Sequence, residues 1–370
     1  MPRIGIDARL TYYHQGGISR YIAHLIPELA ALDARDDYVI LHSRKDRRNL
    51  AASPNQRRVA CWTPSHHRFE RLALALEVAP LGLDLLHSPD FIPPLGGRWK
   101  SVITIHDLSF LHFPETKDAA SQRYYNGQID AAVARADAIL ADSEATRQDV
   151  IALLRVPPEK VTTVWAGIDP SFSPAPPEEI RRVRKAHHLP ADYVLFVGTI
   201  EPRKNLDGLM RAYAALAADL PDLPPLAVVG RRGWLNDPAH ALPSTLGIAD
   251  RMCWVEDIPD GDLPALYSGA SVLCLPSLFE GFGFPVLEAM ACGAPVVTSD
   301  RGSLPEVAGD AAILVSPDDP SSIADGLRRA LTDTLLAADL RRRGFVQAAR
   351  FTWAETARRA LAVYRRVLGG

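Results

Sequence analysis

The chain has 370 residues, 47% of them hydrophobic, and a formal net charge of −3. This length suits two domains of roughly 150–200 residues, and the near-balance of charge gives no electrostatic case for nucleic acid as a partner. The four cysteines lack the spacing of a metal site, and no run reaches the ~20 apolar residues of a membrane-spanning helix. We therefore expect a cytoplasmic protein without a signal peptide. Contact with the inner face of the membrane stays open.

Short apolar runs alternate with helical periodicities in the first half of the chain. An apolar stripe from Ile18 to Leu32 predicts a helix, which Pro27 should interrupt and kink. The run Leu72–Leu86 predicts a helix that leads into a strand. The predicted strands are apolar on both faces, which indicates a parallel sheet covered by helices. They are Ile4–Ala8, Tyr38–His42, Arg58–Trp62, Asp84–His87, Val102–His106, Ala138–Asp142 and Val161–Trp165.

The second half repeats this alternation. Its predicted strands are Val194–Val197, Ala227–Val229, Met252–Val255, Val272–Leu275, Pro295–Thr298 and Ala312–Val315, and its predicted helices are Leu206–Ala218, Leu263–Tyr267, Pro285–Ala291 and Ile323–Thr332. A proline-rich stretch from Asp169 to Pro177 predicts a semi-rigid linker. Next come a charged helix, Glu178–His188, and, at the end of the chain, an amphipathic helix, Trp353–Leu368.

The pattern as a whole predicts an α/β protein with two doubly wound, Rossmann-like parallel-sheet domains. We place the first domain at residues 1–168 and the second at 191–352. Residues 169–190 form the linker and its helix, and residues 353–370 form a C-terminal helix. Ligands of such sheets bind beyond the carboxyl ends of the strands, so the loops after the strands are where chemistry is expected.

The strongest motif is Glu280–Val297, which begins shortly after a predicted strand. Gly281 and Gly283 let backbone amides approach a ligand, and the N-terminus of the following helix favours a phosphate. The carboxylates of Glu280 and Glu288 can each accept hydrogen bonds from sugar or ribose hydroxyls. The alternative interpretation is that Glu280 is an ordinary loop acid and that Glu288 is stabilised by the helix dipole alone.

A second motif, Val197–Leu206, follows the first strand of the second domain. Arg203 and Lys204 lie where the chain opens a helix, and adjacent cations there suit a diphosphate. The alternative interpretation is that both side chains are simply solvated. A cation at a helix N-terminus is unfavourable because it opposes the helix dipole, so binding of an anion explains the two cations better than solvation does.

Two signals in the first domain are weaker. Gln15-Gly16-Gly17 connects the first strand to the first helix and allows close backbone approach to an anion. A Gly-Gly pair is also common in turns that bind nothing. His106 lies at the carboxyl end of a predicted strand, where it is either a sugar-binding residue or a hydrogen-bonded structural histidine.

Several other chemistries are disfavoured. The chain has neither the phosphate-loop motif G-x-x-x-x-G-K-[ST] nor a strand-linked G-x-G-x-x-G with a ribose-binding acid, and it lacks a nucleophile elbow. No histidine cluster has ligand spacing, so the sequence requires no metal.

The Glu280 to Glu288 block resembles the E-x7-E signature of the family-four retaining glycosyltransferases, which have the GT-B fold of two Rossmann-like domains facing across a cleft. The resemblance extends to the Gly16-Gly17 loop, His106-Asp107, the Gly198–Asn205 loop and the closing helix around Trp353, which in such enzymes crosses back to the first domain. It is nearest to mannosyltransferases and related enzymes of bacterial polysaccharide assembly. Many members carry Arg directly after the glycine of the diphosphate loop, where this chain has Thr199, so Arg203 is expected to substitute.

The resemblance also implies site residues and substrates. Lys204 would bind the donor diphosphate, Glu280 the donor-sugar hydroxyls and Glu288 the ribose, and His106 would lie beside the transferred sugar. The further donor-binding residues it implies are Gly16, Gly17, Gly198, Thr199, Gly281, Phe282, Gly283 and Phe284. The donor would be a nucleotide diphosphate sugar, GDP- or UDP-linked, used as a co-substrate without a cofactor or metal.

The implied reaction moves a mannose- or glucose-type hexose to a glycan, lipid-linked or small-molecule acceptor, with retention. No second carboxylate is placed as an obvious nucleophile, so we expect the leaving phosphate to assist deprotonation of the acceptor. In this architecture acceptor specificity comes from first-domain loops, here near Tyr12–Gln15, Thr63–Arg71 and Phe110–Tyr125. The alternatives are an epimerase or phosphorylase on the same fold and a non-catalytic sugar-nucleotide-binding protein.

Overall fold

A computed structural model describes residues 1–13, 16–114, 119–231 and 237–369 of the chain. It divides into two compact units. The first unit combines Met1–Gly167 with Phe351–Gly370, and the second comprises Ile168–Arg350. Each unit is built on one parallel sheet, so the predicted α/β fold class is confirmed.

The sheet of the first unit has seven strands within the described residues, and every pair of neighbours is parallel. The strands are β1 (Arg3–Asp7), β2 (Asp37–Ser43), β3 (Gln56–Cys61), β4 (Leu85–Ser88), β5 (Lys100–Ile105), β6 (Ala138–Ala141) and β7 (Val161–Thr163). Their order is β3-β2-β1-β4-β5-β6-β7. The direction of winding therefore reverses between β1 and β4, the position where doubly wound sheets bind ligands.

The helices of the first half connect these strands. They are α1 (Leu10–Tyr13), α2 (Gly17–Leu32), α3 (Glu70–Val78), α4 (Ser109–His112), α5 (Ala119–Arg135) and α6 (Glu144–Leu154). Helix α2 runs through Pro27, so the prediction that proline interrupts this helix is wrong. Tyr21, Ile22, Leu25 and Leu29 stay buried along one face, and this packing offsets the backbone hydrogen bond that proline cannot make.

The second unit has six described strands in the order β10-β9-β8-β11-β12-β13, again all parallel. The strands are β8 (Val194–Val197), β9 (Leu226–Val229), β10 (Met252–Val255), β11 (Val272–Leu275), β12 (Val296–Ser299) and β13 (Ile313–Val315). Its helices are α7 (Pro177–Ala186), α8 (Leu206–Asp219), α9 (Asp237–Thr245), α10 (Leu263–Ser268), α11 (Phe284–Ala291), α12 (Leu304–Ala308), α13 (Pro320–Thr332) and α14 (Thr334–Ala348).

The last helix, α15 (Trp353–Leu368), belongs to the first unit. Trp353 is buried and stacks on His24 of α2 at a centroid distance of 4.9 Å. The Thr356 hydroxyl donates to the Trp165 carbonyl at 2.7 Å, and the buried Tyr364 hydroxyl lies 2.6 Å from His87 Nδ1 at the centre of the sheet. The chain thus completes its first unit with its final helix.

Candidate active site

Three predicted site residues meet beyond the carboxyl ends of β8 and β11. The ammonium of Lys204 donates to Glu280 Oε1 at 2.5 Å, and the Arg203 guanidinium donates to Glu280 Oε2 at 2.9 Å. Arg203 also binds Glu201 at 2.6 Å and the Phe279 carbonyl at 2.7 Å. The two motifs, about 76 residues apart in sequence, are therefore one charged cluster.

Glu280 is held as a carboxylate. Burial alone would raise its pKa, but the charges of Lys204 and Arg203 and hydrogen bonds from Lys204 and Ser277 lower the pKa to about 2. Ser277 contributes its hydroxyl to Oε1 at 2.7 Å. A carboxylate so deeply ionised accepts hydrogen bonds and is a poor proton donor at neutral pH.

The turn from Glu280 into α11 is tightly fixed. Gly283 caps the helix with φ 102°, a conformation that favours glycine, and a Cβ at this position would lie 2.7 Å from Leu304. The hydroxyl of Ser303 donates to the carbonyls of Glu280 at 3.0 Å and Phe282 at 2.7 Å. Gly281 and Phe282 are buried in this turn, and the half-buried Phe284 ring packs edge-on against Phe282 at 5.0 Å.

The loop after β8 brings Gly198 against Lys204. Gly198 has φ 153°, and a Cβ there would lie 3.5 Å from the Lys204 side chain, so a bare backbone adjoins the lysine. Thr199 is exposed at the next position. Arg203 lies four residues later and binds Glu201 and Glu280, and its substitution for the arginine that many family members carry after this glycine stays a prediction.

Glu288 lies in the middle of α11 and is buried. Its Oε2 accepts a hydrogen bond from the Tyr267 hydroxyl at 2.7 Å, which ties α11 to α10. Glu288 thus lies within the helix and binds Tyr267, whereas Glu280 precedes the helix and binds Lys204 and Arg203. Binding of a ribose by Glu288 stays a prediction.

In the first unit, Gly16 and Gly17 are exposed at the N-terminus of α2, and Gln15 lies outside the described residues. A Cβ at Gly16 would meet no atom within 4 Å, so this backbone is open to approach.

Both ring nitrogens of His106 have hydrogen-bond partners within the first unit. Its Nδ1 lies 2.5 Å from Asp142 Oδ2, and its Nε2 lies 2.7 Å from the Pro89 carbonyl. Burial alone would lower the pKa of His106, but Asp142 and the Pro89 carbonyl raise it to about 9. Because both ring nitrogens then donate, His106 is an imidazolium that links the ends of β4, β5 and β6, and its predicted contact with a sugar stays a prediction.

Sequence reasoning missed four supporting side chains. Ser277 lies three residues before Glu280, and Asn205 lies within the second motif, directly after Lys204, but the sequence analysis gave neither side chain a role. The Asn205 amide donates to the carbonyls of Pro276 at 3.0 Å and Pro317 at 2.7 Å, which joins the loops after β8, β11 and β13. Ser303 and Tyr267 carry no sequence signal, because the fold alone brings them to the motif.

Two features concern metals and membranes. Across the described ranges, no group of three or more His, Cys, Asp or Glu side chains is arranged to hold a metal ion. Among the helices in those ranges, none combines the length and the apolar character that crossing a membrane requires.

Both halves of the chain match known protein families. Residues 15–172 match the family described as Glycosyltransferase Family 4, and residues 178–347 match the one described as Glycosyl transferases group 1. The O-antigen chain mannosyltransferase B of Escherichia coli is 34% identical over 285 residues, which cover 76% of this chain and 74% of that protein. The chain belongs to the family-4 glycosyltransferases.

Other relatives of the glycosyltransferase differ in their names and lengths. The serotype-specific mannosyltransferase WbdA of Escherichia coli is 32% identical over 283 residues, which are 75% of this chain and only 35% of WbdA. A D-inositol 3-phosphate glycosyltransferase of Acidothermus cellulolyticus is 29% identical over 394 residues, covering 95% of this chain and 86% of that protein.

Solved structures share the fold of the glycosyltransferase. Sucrose-phosphate synthase from Thermosynechococcus elongatus superposes with a TM-score of 0.79 at 22% identity, covering 100% of both chains. Anabaena HepE, in complex with UDP and glucose, superposes with a TM-score of 0.75 at 18% identity, covering 99% of this chain and 100% of HepE. At these identities the likeness shows the GT-B fold alone.

Proposed function

We propose that this glycosyltransferase moves a hexose, of the mannose or glucose type, from a GDP- or UDP-linked donor to a hydroxyl of a glycan, lipid-linked or small-molecule acceptor, with retention at the anomeric carbon. The observation that carries the proposal is the buried cluster of Lys204, Arg203 and Glu280 beyond the sheet of the second unit. The names of the mannosyltransferase relatives favour mannose as the transferred sugar, and the complex of HepE with UDP makes UDP a nucleotide to test.

The charges of the cluster suit a diphosphate leaving group. An ammonium offers three donors, so Lys204 has capacity beyond its bond to Glu280, and the Arg203 guanidinium adds a second positive charge beside it. A diphosphate near them would share these cations, and preorganised charge of this kind stabilises the negative charge that develops as the sugar departs. Independence from a metal is part of the proposal, because the two side chains would supply that positive charge.

Retention is proposed to follow because the acceptor hydroxyl attacks the anomeric carbon on the same face of the sugar from which the diphosphate departs. Glu280 is neutralised by two cations, which makes it a weak nucleophile, unlike the second carboxylate of retaining hydrolases. A phosphate oxygen of the leaving group would then take the acceptor proton. Product stereochemistry by proton NMR tests retention, and a covalent sugar on the protein in intact mass spectra would contradict this route.

The first experiment is thermal melting against GDP, UDP, ADP and TDP and their common sugars. A ligand at 100 times its Kd stabilises by about 2.7 kcal/mol, which is roughly a few degrees for a domain of this size. We expect nucleotides of one base to raise the melting temperature of the wild type, and we expect Glu288→Ala to abolish this rise. The matched control is Glu178→Ala, at an exposed position of α7. If no nucleotide at millimolar concentration raises the melting temperature, donor binding is refuted.

Turnover separates the transferase from its alternatives. Nucleotide released only when an acceptor is present indicates transfer. Phosphate-dependent cleavage of a glucan would instead indicate a phosphorylase, and binding without any turnover would indicate a non-catalytic protein.

A further inference from the structure

Helix α3 carries apolar side chains on the side that faces solvent. Phe69, just before the helix, and Leu72 and Leu76 within it follow a helical spacing, and each is more than half exposed. The smaller exposed residues of the same face are Ala73, Ala79 and Pro80. A surface helix of a globular protein normally shows the opposite arrangement, with its apolar stripe toward the core and polar residues outside.

The side of α3 that faces the protein includes two charged residues. Glu70 is buried and accepts a hydrogen bond from the buried Arg9 at 2.7 Å. Arg71 is buried as well, and its guanidinium donates to the Pro93 carbonyl at 2.9 Å. Turning the exposed leucines inward would break these bonds, so the apolar face is a fixed feature of the surface.

Trp62 extends the apolar face beyond the helix. The residue is 72% exposed. The Glu77 carboxylate accepts the backbone N–H groups of Trp62 at 2.5 Å and Thr63 at 3.0 Å, which places Trp62 against the last turn of α3. Exposed apolar surface gathered in one place indicates an interaction site. We call the following four residues the α3 patch: Trp62, Phe69, Leu72 and Leu76.

Guanidinium groups cover both aromatic rings of the α3 patch. The Arg44 guanidinium carbon lies 4.1 Å from the centroid of the Trp62 ring, and that of Arg68 lies 4.5 Å from the centroid of the Phe69 ring. Both distances are those of cation–π pairs. Cations therefore stand directly beside the apolar groups rather than on another part of the surface.

The surface charge around the α3 patch is positive. Residues 44–76 contain eight Lys and Arg residues against two acids, in a chain whose net charge is −3. The two acids, Asp46 and Glu70, are buried, and each is paired with an arginine. The exposed cations of this segment include Arg44, Lys45, Arg47, Arg57, Arg58 and Arg68.

Charge complementarity selects the occupant of this surface. A second copy of the chain, placed on the patch by a two-fold axis, would bring the same arginines together, and repulsion between like charges disfavours this contact. A nucleic acid would pair with the cations, but leucine side chains offer its bases no stacking surface. An anionic phospholipid surface suits both features, because its headgroups attract Lys and Arg and its acyl boundary accepts aromatic and leucine side chains.

We propose that the first unit docks on an anionic phospholipid bilayer through the α3 patch. The four apolar side chains enter the boundary between headgroups and acyl chains, and the surrounding arginines and lysine pair with lipid phosphates. Long cationic side chains suit this position, because their stems lie along apolar groups while their charges reach the headgroups. The docking involves neither the donor nor the reaction, so it stands apart from the proposed function.

Flotation of the purified full chain with vesicles tests this docking. The probes are unilamellar vesicles of phosphatidylcholine alone and of phosphatidylcholine with about 30% phosphatidylglycerol, which supplies the anionic surface. The double variant Leu72→Gln/Leu76→Gln makes the exposed face polar and keeps good helix formers. The double variant Arg44→Gln/Lys45→Gln removes two exposed cations.

Two exposed residues of the same unit provide matched controls. Leu153→Gln changes an exposed leucine of α6, which packs beside β7 at the other edge of the sheet from β3. Arg35→Gln changes an exposed arginine just before β2, whereas Arg44 follows the end of that strand. The melting temperature of every variant is measured, so that each vesicle result refers to folded protein.

We expect the wild type to bind the anionic vesicles at least about tenfold more tightly than the neutral ones, with an affinity that falls as salt is added. The charge variant should weaken binding by about 25-fold, since each cation near an anionic surface contributes about fivefold. The apolar variant should weaken it by at least about tenfold. Both controls should bind as the wild type does.

Trp62 reports insertion directly. On anionic vesicles the tryptophan fluorescence should shift to the blue and be quenched by lipids with brominated acyl chains. Trp62→Phe should remove most of this response, because the other tryptophans in the described part of the chain are buried or half-buried.

Three results overturn the docking: no binding to anionic vesicles, equal binding to neutral ones, or binding that is indifferent to either double variant. Self-association in sedimentation velocity that Leu72→Gln/Leu76→Gln abolishes, without vesicle binding, would assign the α3 patch to a second copy of the chain instead.

Discussion

The ion pair between Lys204 and Glu280 joins two motifs that the sequence separates by 76 residues. Both side chains are nearly buried, so removing one leaves the other poorly compensated. Arg203 shares Glu280 and limits that penalty. Loss of function in a variant here therefore has to be separated from loss of folding.

Lys204→Ala is expected to lower kcat by about 10²–10³, the scale for losing one charge-stabilising donor. Activity is measured together with the melting temperature, so that the folded fraction is known. Lys185→Ala, at an exposed position of α7, is the control and should match the wild type. A Lys204 variant within threefold of the wild type would exclude this lysine from the chemistry.

His106 gives the first unit a pH dependence. Its pKa in the folded chain is about 9, above the ordinary value of 6.5, so its contribution to stability is complete below pH 6.5 and is lost as the pH rises through 9. The difference corresponds to roughly 3 kcal/mol at most. Urea unfolding at pH 6, 7.5 and 9 measures it, and His106→Asn should flatten the decline.

The ring itself provides an independent check on His106. Its ¹⁵N shifts at pH 7.5 should be those of an imidazolium, whereas the neighbouring His87, whose pKa burial and the His106 charge lower to about 3, should be neutral. A neutral His106 at pH 7.5 would contradict the assignment.

At the scale of elements, the turn into α11 depends on one glycine. Gly283→Ala has to accommodate both φ 102° and a Cβ 2.7 Å from Leu304, which costs about 1–3 kcal/mol. We expect a lower melting temperature and weaker nucleotide binding, because the turn carries Glu280 on one side and Glu288 on the other. The control is Gly261→Ala, where a Cβ meets open space. Equal nucleotide affinity in the two variants would argue against a role for this turn.

Most elements could be predicted from the sequence because the strands are apolar on both faces. The strand ends differ, because the predicted strands include Trp62, His106, Asp142 and Trp165, which lie one or two residues beyond the observed strands. Each of these residues follows the last paired residue at the carboxyl end of its strand, a point that the apolar pattern alone does not mark. Helix α14 was not predicted, because Arg341–Arg343 and Gly344 weaken its amphipathic pattern.

The site was partly predictable for a related reason. Lys204 and Glu280 each follow a strand, and parallel strands bring their carboxyl ends to one edge, so their proximity follows from the fold class. Ser303 and Tyr267 could not be found in this way. Their hydrogen bonds to the motif depend on how the fold places α10 and the residue before α12 beside α11, which the local sequence does not show.

At the scale of the molecule, the two units use the same strand order for different electrostatic purposes. The second unit gathers Lys204 and Arg203 around Glu280 beyond its sheet, and the first gathers Asp7 and Glu70 around the buried Arg9 beyond its own.

The first unit also depends on α15, whose buried residues include Trp353, Leu361 and Tyr364. Truncation after residue 352 removes several buried side chains at about 1.5–3 kcal/mol each, which approaches the whole stability of a typical domain. We expect the truncated chain to lose cooperative unfolding of the first unit and to bind a hydrophobic dye. A peptide of residues 353–369 added in trans should restore folding. An unchanged urea midpoint after truncation would show that α15 is dispensable.

The return of α15 to the first unit has a consequence for how the protein is made. The ribosome delivers residues 1–167 before Ile168–Arg350, and the helix α15, which packs on the first unit, is synthesised only after that whole segment of some 180 residues. At about 5–20 residues per second, the earliest part of the chain waits on the order of ten seconds or more with an incomplete core, while the second unit, being continuous, can fold as it emerges. Nascent-chain chaperones would therefore be expected to engage residues 1–167 and to release them only when α15 has left the exit tunnel.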